Sequence, residues 1–168
     1  AEMPRQAPED GPAPEPLFDW SPFAARARSL SSPGLPPVSL ADALGRRSSR
    51  RGPYGPMTDS HLGALLWEST SAPLGAGLTG RTYPSAGAQN AVRLRVLVRD
   101  VLGLPEGIYD ADIDRRTLIP IAPSPSPADL AAISMWFTDG PPGPMQIDVN
   151  GLPALIAVVL DMRTIRAR

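Results

Sequence analysis

Apolar and polar positions change period several times along the chain, and each change marks an element. Behind Ser39, the residues Leu40, Ala43 and Leu44 recur at helical spacing. The Ser39 hydroxyl can cap the first turn, and Asp42 three residues on completes a capping-box-like pair. The helix predicted here runs into Arg46-Arg47-Ser48-Ser49-Arg50-Arg51. A second helix is predicted from Thr58 as N-cap, with Leu62, Leu65 and Leu66 on one side and Trp67 widening it. It ends near Ser69, and the Gly-rich residues 74–80 predict a loop. Residues 92–99 then switch to period two, Val and Leu alternating with Arg93, Arg95 and Arg99, with Leu97 as the one break. That pattern predicts a strand with one side wet or facing a partner. Ile108-Tyr109 and Thr117-Leu118-Ile119 predict a hairpin, its turn made of residues 110–114. Ser126-Pro127 starts a third helix leading to Leu130, Ile133, Met135, Trp136 and Phe137, and residues 140–143 break the chain. The uninterrupted, β-branched run 154–160 predicts a strand buried on both faces.

No such periodicity holds in residues 1–38, which are Pro-rich and carry Phe18, Trp20 and Phe23 as their only aromatics. They predict an extended arm rather than a second domain, leaving residues 39–168 as the folded unit. With 168 residues and 42% hydrophobic content, one domain with a real core is expected. The formal charge of −1 offers no basic footprint for nucleic acid. No apolar run approaches the roughly 20 residues of a membrane span, and the N-terminus lacks the apolar core of a signal peptide, so a cytoplasmic protein with no membrane partner is expected.

The chain has no Cys and one His, which removes zinc fingers, iron–sulfur clusters, disulfides and thiol catalysis from its own repertoire. All 16 basic residues are Arg, which removes a Lys Schiff base, a Walker A Lys and a Lys base. His61, in the first turn of the second helix, reads as a surface residue. Asp110, Asp112 and Asp114 have the spacing of a calcium loop. The sixth position is Arg115 rather than Gly and the twelfth is Ile121 rather than Glu, so no metal site is expected.

Four guanidiniums and two hydroxyls leave a helix end together in residues 46–51. Such a set can grip a phosphate and nearby hydroxyls through charge-assisted hydrogen bonds. It can equally be a solvated helix end, since cations there complement the helix dipole. The cluster is followed by a Leu-rich helix, a Gly-rich stretch, Tyr83-Pro84-Ser85-Ala86-Gly87-Ala88, the Arg-flanked Val strand, and Gly107-Ile108-Tyr109 opening the hairpin. This order resembles the nitroreductase superfamily and, within it, the SagB-type dehydrogenases that oxidise azolines to azoles in ribosomal peptide natural products. The resemblance spans roughly residues 39–161 and rests chiefly on the Pro-Ser-Ala-Gly-Ala run with the strand and hairpin after it.

The resemblance implies an α+β, nitroreductase-like three-layer fold with a central, mainly antiparallel sheet, represented by its N-terminal half and incomplete at the C-terminus. It implies FMN as cofactor, with Arg46, Arg47, Ser48 and Arg50 on the phosphate and ribityl chain and Pro84, Ser85, Ala86 and Gly87 against the flavin ring. Gly87 would let backbone approach a flat ring closely, and nearby N–H groups could stabilise charge on the reduced ring. It also implies a homo- or hetero-oligomer with the flavin at a chain interface, a peptide substrate, and a Lys-Tyr base outside this chain. A split dehydrogenase completed by another polypeptide is therefore expected. Tyr83 could orient substrate or simply pack. Gln89-Asn90-Ala91 stands where the family usually has an aromatic and a Pro, a departure on one side of the flavin. A catalytically incomplete scaffold that binds a partner enzyme or leader peptide, a general NAD(P)H nitroreductase or ene-reductase, and a fragment of a longer protein that carries the remaining half are the alternatives.

Overall fold

The computed structural model describes residues 25–33, 37–48, 54–75, 78–81 and 91–160. In chain order the elements are β1 (Arg28–Ser29), α1 (Leu40–Arg46), β2 (Met57–Thr58), α2 (Asp59–Thr70), β3 (Ser71–Gly75), β4 (Leu78–Arg81), β5 (Val92–Val98), β6 (Val101–Leu102), β7 (Gly107–Asp112), β8 (Thr117–Ala122), α3 (Pro127–Ile133), β9 (Phe137–Thr138), β10 (Ile147–Asp148) and β11 (Ala154–Leu160). The result is a mixed α+β molecule whose centre is a five-stranded sheet in the order β1-β8-β7-β5-β11, with every neighbouring pair antiparallel.

Side-chain alternation along β5 explains how the sheet is used. Leu94, Val96 and Val98 join Leu62, Leu66 and Trp67 of α2, and Tyr109, Ala111 and Leu118 of the hairpin, in the larger core. On the opposite face Leu97 joins Leu130 of α3 with Val149 and Leu152, so a second, smaller core lies under α3 and the β9/β10 pair. Leu97 is thus no break in the pattern. It keeps the Arg register at the end of β5 that this second layer covers, where an Arg would have to be buried.

Local chemistry sets most element starts. Ser39 accepts from the Asp42 N–H at 3.1 Å, Thr58 Oγ1 from the His61 N–H at 3.2 Å, and Ser126 forms a full capping box with Asp129 behind Pro127. Where packing decides, several expectations need correction. Residues 71–75 and 78–81 pair as antiparallel strands β3 and β4, where a loop is expected. The β7/β8 turn is residues 113–116, with Arg116 in the left-handed region at φ 53°, so Asp110 and Asp112 belong to the strand. Leu65 is exposed, because the buried side of α2 is set by Leu62, Leu66 and Trp67. The Leu40/Leu44 side of α1 is exposed as well. α3 stops at Ile133, so Met135 and Trp136 lie in a turn closed by the Phe137 N–H on the Ser134 carbonyl at 2.9 Å, and Phe137 enters β9. β11 pairs with β5 along all seven residues but sits at the sheet edge, and Ala157, Val158 and Leu160 are exposed instead of doubly buried.

Candidate functional site

Arg46, Arg47 and Ser48 stand together at the C-terminal end of α1, all exposed. The Arg47 backbone N–H is spent on the Leu44 carbonyl at 3.3 Å, which turns the chain out of the helix and leaves the two guanidiniums without an ion pair among the described residues. α1 does not pack on the sheet, so this donor set is assembled by the helix end alone. Arg50, Tyr83, Pro84, Ser85, Ala86 and Gly87 lie outside the described residues. His61 is on the surface of the first turn of α2, as expected.

The sheet contributes an arrangement that the residue pattern did not announce. Asp110 lies directly across from Arg95 in the β5/β7 register, and its carboxylate is buried between two guanidiniums. Arg93 Nη1 is 3.5 Å from Oδ2 and Arg95 Nε is 3.7 Å from Oδ1. The second distance is an electrostatic contact, too long for a hydrogen bond, and both Arg95 Nε and Asp110 Oδ1 are buried with no hydrogen-bond partner. Burial raises the Asp110 pKa above its ordinary value; Arg93 and Arg95 oppose the rise, and the neighbouring Asp112 adds to it. Of this trio, Arg93 and Asp110 line a cleft of about 310 Å³ together with Val92, Asp112, Asp114 and Ile119. Asp112 is itself engaged, accepting from Arg115 through both N–H and guanidinium at 3.0 Å. No group of three or more potential ligands for a metal occurs among the described residues.

The sign of the Asp110 shift fixes a pH dependence. A carboxyl whose folded pKa exceeds its unfolded value binds its proton more tightly when folded. Its contribution to stability therefore falls as pH rises from about the ordinary value of 3.8 through the raised folded value. Asp110→Asn removes the titration while keeping the shape. The unfolding midpoint of the Asn variant relative to wild type is expected to move in the variant's favour as urea melts are repeated from pH 3 towards neutrality. A difference that stays constant would show that the paired arginines offset burial, and one that moves the other way that they outweigh it.

Tyr109, from the Gly-x-Tyr hairpin start, is a core residue. Its hydroxyl donates to the Pro105 carbonyl at 2.7 Å, and burial raises its pKa while the charge of Arg28 opposes the rise. The phenol therefore remains neutral and ties the loop before β7 to the sheet. What this face offers chemically is one guanidinium, Arg93, beside three carboxylates, Asp110, Asp112 and Asp114, around a cleft. Arg93 and Arg95 could be read from alternation. The buried carboxylate between them required the strand register.

No helix among the described residues is long and apolar enough to cross a membrane. No family model matches the chain. A solved complex of Escherichia coli microcin synthetase McbBCD with truncated pro-MccB17 bound aligns with 67% of this chain and 46% of the matched chain, at 22% identity and a TM-score of 0.35, too low to support an argument from shape. Over 93 residues the chain is 32% identical to the "Putative nitroreductase MJ1384" of Methanocaldococcus jannaschii. The aligned region is 55% of this chain and 46% of that protein, so the chain spans about half the length of the curated relative it matches. Across that region the chain is a distant homologue of the archaeal protein.

Proposed function

We propose that this chain forms the phosphate-gripping part of an FMN site in a nitroreductase-type oxidoreductase, and that the enzyme oxidises azoline rings of a peptide to azoles. The observation that carries the reading is the 32% identity over 93 residues with a protein whose name is "Putative nitroreductase MJ1384". The order of Arg cluster, Pro-Ser-Ala-Gly-Ala run, Val strand and hairpin narrows it to the azoline-oxidising branch. The residues present fit the phosphate end of FMN: Arg46 and Arg47 are exposed donors with no ion pair among the described residues, and the Ser48 hydroxyl lies beside them.

Arg46, Arg47 and Ser48, with Arg50, would hold the phosphate and the neighbouring hydroxyls. Pro84, Ser85, Ala86 and Gly87 would lie against the ring. FMN, when bound, supplies a two-electron acceptor for the hydrogens removed from the azoline. The 168 residues include no Lys, so a Lys base would come from outside them. The second reading, a scaffold subunit without flavin, is favoured by one feature: the Arg cluster stands on a helix that does not pack on the sheet.

The visible absorbance of the purified protein, alone and after co-expression with the proteins encoded beside it, separates the two. Flavin bands are expected with a partner and are expected to disappear in the double variant Arg46→Ala, Arg50→Ala. Two charged hydrogen-bonding contacts at about 1.5–3 kcal/mol each correspond to a loss of at least about 100-fold in affinity. Flavin content that is unchanged in the double variant would overturn the assignment of Arg46 and Arg50 to the phosphate, and flavin absent under every condition would leave the scaffold reading in place.

A further inference from the structure

The turn that carries the chain from β10 into β11 contains the pair Asn150-Gly151, and both residues are exposed there. On either side the chain is anchored. Val149 and Leu152 are buried in the smaller core, and the Pro153 carbonyl accepts from the Arg99 and Asp100 N–H groups at 2.9 and 3.0 Å. Within the turn Asn150 acts as a clasp. Its backbone N–H donates to Asp148 Oδ1 at 2.9 Å, and its Nδ2 donates to the same oxygen at 3.2 Å. Nδ2 also donates to the Asp139 carbonyl, 11 residues back, at 2.8 Å. That bond ties the turn to the residue that follows β9. The β9/β10 pair it secures is short, held by the Ile147 N–H on the Trp136 carbonyl at 2.8 Å and the Val149 N–H on the Thr138 carbonyl at 2.9 Å.

We propose that Asn150-Gly151 is a site of self-modification, at which Asn150 loses ammonia and the product unfastens the β9/β10 pair. An Asn followed by Gly is open to this change because no Cβ on the second residue shields its nitrogen from the side-chain amide. The Gly151 N–H donates no hydrogen bond among the described residues, so the nucleophile is not held elsewhere. It gives its proton to solvent and attacks Asn150 Cγ; the N–Cγ bond forms, the Cγ–Nδ2 bond breaks, and Nδ2 leaves as ammonia. Water then opens the cyclic imide at either carbonyl, leaving an aspartyl or an isoaspartyl residue at position 150. Only water is consumed. In the aspartyl product an acceptor oxygen replaces the Nδ2 donor, so the bond to the Asp139 carbonyl is lost and a new negative charge stands where Nδ2 lay, 3.2 Å from Asp148 Oδ1. In the isoaspartyl product the backbone gains a methylene between Val149 and Leu152, whose burial fixes the span it must fit. Neither product can close the clasp. The site is independent of the flavin reading.

The full chain, incubated in mildly alkaline buffer and mapped by peptide mass spectrometry, is expected to gain at residue 150 the mass of an amide nitrogen exchanged for oxygen, with isoaspartate in the same peptide. Gly151→Ala should suppress the change. The nearest contacts of its added Cβ would be Asp148 Oδ2 at 3.7 Å and Tyr54 Cδ2 at 3.9 Å, both ordinary, so the variant should fold as wild type does. Asn90 precedes Ala91 and serves as an internal reference that should convert far more slowly. Hydrogen exchange reads the consequence. In the converted protein the Ile147 and Val149 amides should exchange at least about fivefold faster, the factor for one lost hydrogen bond, while the amides of β5 and β7 keep their rates. An Asn150 that stays intact while a synthetic peptide of residues 146–155 converts fully under the same conditions would overturn the proposal. So would conversion at an equal rate in the Gly151→Ala variant, or converted protein whose Ile147 and Val149 amides exchange as before.

Discussion

Replacing Trp67 with Ala is expected to cost about 3–5 kcal/mol of folding free energy, the range for deleting a buried indole. Trp67 is fully buried, 0% exposed, and it is the largest of the enclosed side chains. It stands on α2, the helix that covers the larger core, where Leu62, Leu66, Val96, Val98 and Leu118 complete the same cluster. A small domain has a total stability of only about 5–15 kcal/mol, so the loss is a large share of it. Urea unfolding followed by far-UV circular dichroism measures the effect directly. Leu65→Ala is the internal control, because Leu65 is half-exposed on the same helix and should shift the midpoint by less than about 1 kcal/mol. Equal losses in the two variants would mean that α2 is not held by the face described.

Gly63→Ala is the second large effect, and there the sign is the informative part. In an exposed helix interior, Gly to Ala stabilises by up to about 1 kcal/mol. At position 63 an added Cβ would run into the Ser31 carbonyl oxygen and lie 3.1 Å from the Leu30 Cβ, where α2 crosses the segment after β1. That segment is also fastened to α2 by the Ser32 hydroxyl, which donates to Glu68 at 2.9 Å, and by the burial of Leu30. Backbone must shift to admit the methyl, so a net loss of about 1–3 kcal/mol is expected. Gly45→Ala on α1 provides the contrast, since nothing lies within 4 Å of its added Cβ, and that change should be neutral or stabilising. If both substitutions stabilise the protein in thermal melts, the close approach of α2 to residues 30–31 is not maintained in solution.

These contrasts show which parts of the structure were legible in the residues. Helix starts at Ser39, Thr58 and Ser126 depend on hydrogen bonds spanning three residues, and a linear reading finds them. Period-two alternation in β5 also told which side chains share a face. Position within the sheet was not legible: the run 154–160 is as apolar as a central strand, yet it lies at an edge, because apolar content measures affinity for a core and not the number of neighbours. The turn was displaced by three residues because Asp110 and Asp112 have the chemistry of turn formers. In the fold, Arg93 and Arg95 across the ladder hold Asp110 in the strand instead. For the candidate flavin site, the Arg46-Arg47-Ser48 group was legible as a helix end, since a helix gathers its own last residues. Its relation to the sheet depends on contacts between distant parts of the chain, which no local pattern encodes.

The division of the buried side chains between the two faces of the sheet has a consequence for how the molecule opens. Among the described residues, those between β8 and β11 are held by the smaller group, Leu97, Leu130, Val149 and Leu152, whereas α2 and the hairpin are held by three times as many buried side chains, twelve against four. The layer containing α3, β9 and β10 can therefore lift away at a fraction of the free energy needed to unfold the sheet, and the larger core need not sense it. Evolution can alter that layer's loops and exposed side chains while the other face of the sheet keeps the fold intact.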